Sequence, residues 1–163
     1  MLIRVTILFF IILMNSKIIH AETLTLEIDN PRFTEKGLDK KIYEIRAKKG
    51  LQSDTYLELI EVEGKFKTDE GVWIFMTAGN GKFFRSEKII KLADSINFYT
   101  DGDETIKSDL AIFDVDNGII SFEDNVEYIK NENKILADRS VISNNFNNIL
   151  YEGNVKTRLI TKN

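Results

Sequence analysis

Residues 119–129 read Ile-Ile-Ser-Phe-Glu-Asp-Asn-Val-Glu-Tyr-Ile, and the pattern of this stretch recurs along the chain. Thirty residues earlier, Ile90, Leu92, Asp94, Ile96 and Phe98 stand at the places of Ile120, Phe122, Asp124, Val126 and Tyr128. Twenty-nine residues later, Ile149, Tyr151, Gly153 and Val155 occupy the first four of those places again. The intervening segments repeat as well: Met76, Ala78, Gly81 and Phe83 align with Ile106, Ser108, Ala111 and Phe113, then with Ile135, Ala137, Ser140 and Ile142. Each unit is thus two short apolar-polar alternations joined by a turn, about thirty residues in all. A period of two is the signature of strands, and a fixed long period is that of stacked equivalent units. Every strand then carries its apolar side chains on one face, and the faces add up to a column.

Composition sets the bounds. A chain of 163 residues, 43% hydrophobic and 29% charged, has room for one folded domain with a sizeable core. Its formal charge is −4; without the first 21 residues, which hold Arg4 and Lys17, 20 basic residues face 26 acidic ones, or −6. No basic patch emerges, so nucleic acid is not an expected partner. The absence of cysteine excludes disulfides, thiolate metal sites and cysteine nucleophiles. A single proline, Pro31, suits a chain of central strands.

The first 21 residues read as a separate segment. Val5 to Met14 is a mostly apolar run behind Arg4 and ahead of Asn15-Ser16-Lys17. It is shorter than the roughly 20 residues a membrane-crossing helix needs. Its length suits a secretory signal cleaved after Ile19-His20-Ala21, and an uncleaved anchor from Ile3 to Ile19 is the other reading. Both export residues 22–163.

Along those residues, Leu24, Leu26 and Ile28 alternate and predict a first strand, stopped by Asn30-Pro31. Phe33 to Lys36 and Tyr43 to Lys48 predict the next two. Residues 43–66 read as a degraded fourth unit, in which Ile45, Ala47 and Gly50 echo Met76, Ala78 and Gly81, and Leu59 echoes Ile90. Gly64 and Asp69-Glu70-Gly71 read as turns. In Val72 to Ala78, Val72, Ile74, Met76 and Ala78 share one face, and Trp73 and Phe75 the other. Later turns fall at Thr100 to Asp103, Asp116-Asn117-Gly118, Lys130 to Asn133 and Asn144 to Asn148. No segment after residue 22 has a helical period. The expected fold is therefore all-β: an antiparallel sheet curled into a sandwich or jelly roll, with terminal strands open to pairing.

Catalytic patterns are scarce. The only histidine, His20, lies in the leader, and no nucleophile elbow, Ser-x-x-Lys arrangement or phosphate loop occurs. Asp101-Gly102-Asp103-Glu104 has too few regularly spaced oxygens for a calcium loop and reads as an acidic turn. Glu123 and Asp124 read as solvent-facing residues rather than a glycosidase pair. The expectation is a protein with no catalytic residues, metal or cofactor.

What remains is the column: Met76, Ala78, Phe83, Ile90, Leu92, Ile96, Phe98, Ile106, Phe113, Ile120, Phe122, Val126, Tyr128, Ile135, Ile142, Ile149, Tyr151 and Val155. Two readings fit it. It is the ordinary core of a β sandwich, or it is a trough, partly open along the concave face of a curled sheet, that takes an acyl chain. Each methylene moved from water onto such a surface gains about 0.8 kcal/mol.

The order of features resembles the LptC family of lipopolysaccharide export proteins, within the wider LptA and OstA-like group. A hydrophobic N-terminus is followed by Tyr43-Glu44-Ile45-Arg46-Ala47, Leu59 to Gly64, and Trp73 to Ala78 with Gly81. Repeated Leu-x-Asp/Gly-x-Val units then end in Leu136-Ala137-Asp138 and Tyr151-Glu152-Gly153-Asn154-Val155-Lys156. The resemblance runs over residues 24–159. It implies a twisted, V-shaped β jelly roll on the periplasmic side of the inner membrane, with lipopolysaccharide acyl chains in the trough. It also implies a non-enzymatic role, accepting lipid from the permease pair LptF and LptG and passing it to LptA by edge-to-edge strand addition. Leu24, Leu26 and Ile28 would then face the transporter, and Gly153, Asn154 and Lys156 the next protein. Taken alone, Gly153 reads as a turn or bulge glycine. The family carries a membrane-spanning helix where this chain has a short, signal-like run, so a soluble, LptA-like bridge also fits. An envelope scaffold with a filled core is the reading from a different class.

Overall fold

The computed structural model describes residues 26–38, 40–143 and 148–160. The leader, Leu24 and most of the turn expected at 144–148 lie outside these residues. Among the described residues the protein is all-β. Two short strands come first, β1 (Leu26–Asp29) and β2 (Arg32–Lys36). Seven long ones follow: β3 (Ile42–Gln52), β4 (Leu57–Lys67), β5 (Trp73–Phe84), β6 (Ile89–Thr100), β7 (Glu104–Asp114), β8 (Ile119–Lys130) and β9 (Asn133–Ser143). Two short strands end the chain, β10 (Asn148–Glu152) and β11 (Lys156–Arg158). All belong to one antiparallel sheet in the order β1-β3-β4-β5-β6-β7-β8-β9-β10, with β2 also on β3 and β11 also on β9. Each edge is thus one broken strand. β1 and β2 succeed one another along β3, divided at Asn30-Pro31, and β10 and β11 do the same along β9, divided at Gly153-Asn154. The sheet does not close into a barrel, and no helix among the described residues is long and apolar enough to cross a membrane.

The thirty-residue repeat has a physical basis in one row of side chains. Gly50, Leu59, Gly81, Leu92, Ala111, Phe122, Ser140 and Tyr151 face one another in turn across β3 to β10. Small residues on odd strands alternate with large ones on even strands, so each large side chain fills the space its neighbours leave. A Cβ at Gly81 would already stand 3.2 Å from the Leu92 Cδ2 and the Val62 Cγ2. This is the interlocking that close-packed interiors require.

A second repeat feature makes the sheet bend. The registers of β6 and β8 with their neighbours slip at Ala93/Ile96 and Glu123/Val126, where each even strand carries one extra residue. Asp94-Ser95, Asp124-Asn125 and Gly153-Asn154 occupy the same place in successive units, and all six residues have positive φ. The repeated Asp/Gly is therefore a bulge corner, which bends and twists a strand. Neighbouring strands satisfy the corners: Asn125 Nδ2 donates to Asp109 Oδ2 at 2.6 Å, and Asn154 Nδ2 to Asp138 Oδ2 at 2.8 Å.

Bent along this line, the sheet coils onto itself. The β2 ring of Phe33 stacks on Phe83 of β5 at 5.0 Å, and Tyr43 and Phe66 of β3 and β4 meet Phe113 of β7 at 5.0 and 5.9 Å. At the rim, the Leu38 amide donates to the Asp116 carbonyl and the Val115 amide to the Lys88 carbonyl, each at 3.0 Å. One sheet thus supplies both layers of the core.

Two readings of residues 43–66 are corrected. Leu57, not Leu59, takes the place of Ile90, because Leu57 pairs with Phe83 just as Ile90 does. Between equivalent positions the β3–β4 hairpin is two residues shorter than the β5–β6 one, with four residues between the partners Gln52 and Leu57 against six between Phe83 and Ile90, so a constant spacing misplaces β4. Gly64 is no turn but an interior residue of β4, paired with Met76. It is glycine because a Cβ there would overlap the Met76 side chain. The turns at 100–103 and 116–118 form as expected, and Lys130 pairs with Asn133 around Asn131 and Glu132, both at positive φ, as the tightest hairpins demand.

Candidate functional site

The structure divides the apolar column in two. Met76, Ala78, Phe83, Ile90, Leu92, Ile96, Phe98, Ile106, Phe113, Ile120, Phe122, Val126 and Ile142 are buried, joined by Tyr43, Ile45, Leu57, Leu59, Val62, Phe66 and Ile74 from the front of the sheet. Along this length the concave face is filled by the protein itself. Tyr128, Ile135, Ile149 and Tyr151, on β8 to β10, are half-buried. They line a cleft of about 370 Å³ with Ile74, Phe98 and Ile106. That volume lies within the range of about 300–1,000 Å³ typical of small-molecule sites. Val155 stands apart, 49% exposed beyond the Gly153-Asn154 corner.

The mouth of the cleft is polar. Glu104 at the start of β7 and Lys130 at the end of β8 are cross-strand partners and form an ion pair there. The Tyr128 hydroxyl donates to Glu104 Oε1 at 3.3 Å, and its ring lies 5.9 Å from that of Tyr151. Burial, then the nearby Glu104 carboxylate, raises the Tyr128 phenol above its ordinary range. Burial raises Tyr151 further, with Tyr128 and Glu104 adding to it. The Lys130 ammonium is held above the usual lysine range by its hydrogen bond and charge pairing with Glu104. At neutral pH the cleft therefore presents apolar walls, the un-ionised phenols of Tyr128 and Tyr151, and one internally neutralised ion pair. Such a lining suits an apolar chain. No cluster of three or more His, Cys, Asp or Glu placed to hold a metal occurs among the described residues.

Sequence reasoning did not find Glu104, Lys130, Tyr99, Thr100 or Thr105, which also line this cleft. Their positions beside the two turns were legible, but their convergence depends on the β7–β8 register and on the coil of the sheet. Ile74 carried a signal, since it shares the inward face of the Val72 to Ala78 segment.

The expected partner edges fall on the outermost strands. Leu26 and Ile28 lie on β1, and Lys156 on β11. Gly153 and Asn154 form the corner between β10 and β11, where the Gly153 carbonyl accepts from the Asp138 amide at 3.0 Å. Among the described residues, β1 pairs only with β3, and β10 and β11 only with β9, so the outer side of each is unpaired. Leu150, at 56% exposure, projects from β10.

No family model matches the chain, and no curated protein matches it.

Proposed function

We propose that this protein is a non-enzymatic periplasmic bridge for lipopolysaccharide, of the LptC kind, taking lipid from an inner-membrane transporter and passing it to an LptA-like protein. The observation that carries the reading is a single coiled sheet whose apolar inner face opens, at its last strands, into a cleft beside an unpaired edge. An acyl chain entering there would meet Ile135, Ile149 and the rings of Tyr128 and Tyr151. Each methylene would gain about 0.8 kcal/mol, and strand addition at β10 or β11 would set the next protein's trough in line. LptA-like bridging without an anchor uses the same features.

The test is native mass spectrometry of residues 22–163 isolated from an envelope that contains lipopolysaccharide. The expected result is a lipid adduct that disappears in Ile149→Asp while the far-ultraviolet circular dichroism is unchanged. Ile149 is the better probe than a core residue because it is half-buried at the cleft. A clean apo mass with lipid in excess would instead favour the envelope scaffold. That reading draws on the filled stretch from Met76 to Ile142 and expects concentration-dependent oligomers.

A further inference from the structure

A second and larger depression, about 620 Å³, runs across β2 to β6; outward-facing Arg32, Glu44, Arg46, Glu63, Phe75 and Tyr99 line it, and it also reaches Ile45, Gly64 and Met76. At its edge, Arg32 of β2 is the direct cross-strand partner of Arg46 of β3. Like charges placed opposite one another in a sheet destabilise it. Arg46 is offset by Glu63, to which its Nε donates at 2.7 Å, whereas Arg32 has no acidic partner among the described residues. One carboxylate thus serves Arg46 alone. A second anion, placed between the two guanidinium groups, would relieve the repulsion, and the planar donor fork of arginine matches carboxylate and phosphate oxygens in pairs.

The far end of the same depression is aromatic. Phe75 and Tyr99, cross-strand partners with rings 5.3 Å apart, line it together, and Tyr99 is 38% exposed. Trp73 extends the stack at 6.4 Å, with the Lys65 ammonium 5.1 Å from its ring. The negative face of an aromatic ring attracts weakly positive C–H groups, such as those on one side of a sugar ring. Between the arginines and the rings stand Glu63, paired with Arg46, and Glu44, paired with Lys65 at 3.1 Å; an ionised carboxylate has about four acceptor sites, which leaves room for hydroxyl donors as well.

We propose that this outer groove is a binding site for an anionic saccharide. Strands lie about 4.8 Å apart, so the ligand is a short oligosaccharide: its acidic group sits between Arg32 and Arg46, hydroxyls donate to Glu63 and Glu44, and a ring further along lies against Phe75 and Tyr99. The proposal does not rest on the transport reading, although Tyr99 lines both this groove and the cleft.

Isothermal titration calorimetry and amide chemical-shift mapping of residues 22–163 would test it with four probes: maltotriose 6-phosphate, trigalacturonate, maltotriose and inorganic phosphate. The expected result is binding of at least one anionic sugar, with shifts confined to β2–β6 and an affinity about tenfold or more above both maltotriose and phosphate. The phosphate and carboxylate sugars tell which acidic group the arginines prefer. Arg32→Gln is expected to lower that affinity about tenfold, and Tyr99→Ala to lower it while leaving inorganic phosphate unchanged. Arg32 is exposed on an edge strand, so its variant keeps the fold. Equal binding of phosphate and sugar phosphate, an affinity untouched by Arg32→Gln, or no binding by either anionic sugar would each overturn the proposal.

Discussion

At the scale of single residues, Tyr151 concentrates the tension between packing and polarity. Its ring completes the row begun at Gly50, yet its hydroxyl is buried without a hydrogen-bond partner, as is that of Ser140 directly across from it. A buried unpaired hydroxyl costs about 1–3 kcal/mol. Tyr151→Phe and Ser140→Ala are each expected to stabilise the domain by about 1 kcal/mol, read as a higher urea midpoint with an unchanged slope. Tyr151 also gives the protein a pH dependence. Its folded pKa lies above the value of about 10 for a free phenol, so its contribution is fully present below pH ~10. Above that pH the unfolded chain ionises while the folded one does not, and stability falls. Tyr128 and Lys130 are raised too and act in the same direction. Urea midpoints at pH 9 and 11 should therefore drop less in Tyr151→Phe than in the parent. In the filled part of the column the balance is simpler: Phe122, with no exposed surface, meets Phe98 edge-on at 5.0 Å. Phe122→Ala is expected to cost about 3–5 kcal/mol by equilibrium unfolding.

At the scale of elements, the decisive feature is the corner that repeats on β6, β8 and between β10 and β11. Left-handed backbone is tolerated by Asp, Asn and Ser better than by most residues, and by glycine best. Gly153, at φ +71°, is also pressed by the Asp138 side chain, so a Cβ would collide as well as strain. Gly153→Ala is expected to cost about 1–3 kcal/mol and to loosen the last strands first. Hydrogen exchange of the amides in β10 and β11 would register this as faster exchange there than in β5 to β7. If exchange accelerates uniformly instead, the corner is not a local hinge of stability.

At the scale of the whole molecule, stability and function depend on how far the sheet coils. Its outer face carries many cross-strand ion pairs, among them Arg46–Glu63, Lys48–Glu61 and Lys49–Glu27. These three are exposed, and pairs of that kind contribute at most about 1 kcal/mol each and are screened by salt. Raising sodium chloride to 1 M is therefore expected to shift the urea midpoint far less than Phe122→Ala does. The coil brings β2 to β4 against β5 and β7 and leaves Ile135 of β9 and Ile149 and Tyr151 of β10 half-buried, so the cleft lies beside the open C-terminal edge. The chain has no cysteine, so Leu150→Cys marks that edge alone for crosslinking to a partner.

Local pattern by itself determined a good deal of this protein. Period-two alternation placed the long strands, the thirty-residue spacing aligned β5 to β10, and most of the column from Met76 to Ile142 proved to be interior, because side-chain direction along a strand follows from backbone geometry alone. The same arithmetic failed where a loop was shorter, misplacing β4 by two residues, and where Gly64 looked like a turn. Only the tertiary structure decided which part of the column is filled and which is open, that Glu104 meets Lys130 at a cleft mouth, and that Arg32 lies against Arg46. These depend on register, bulge and coil, which join residues far apart in the chain through the packing of whole strands, and no short window of sequence contains that information.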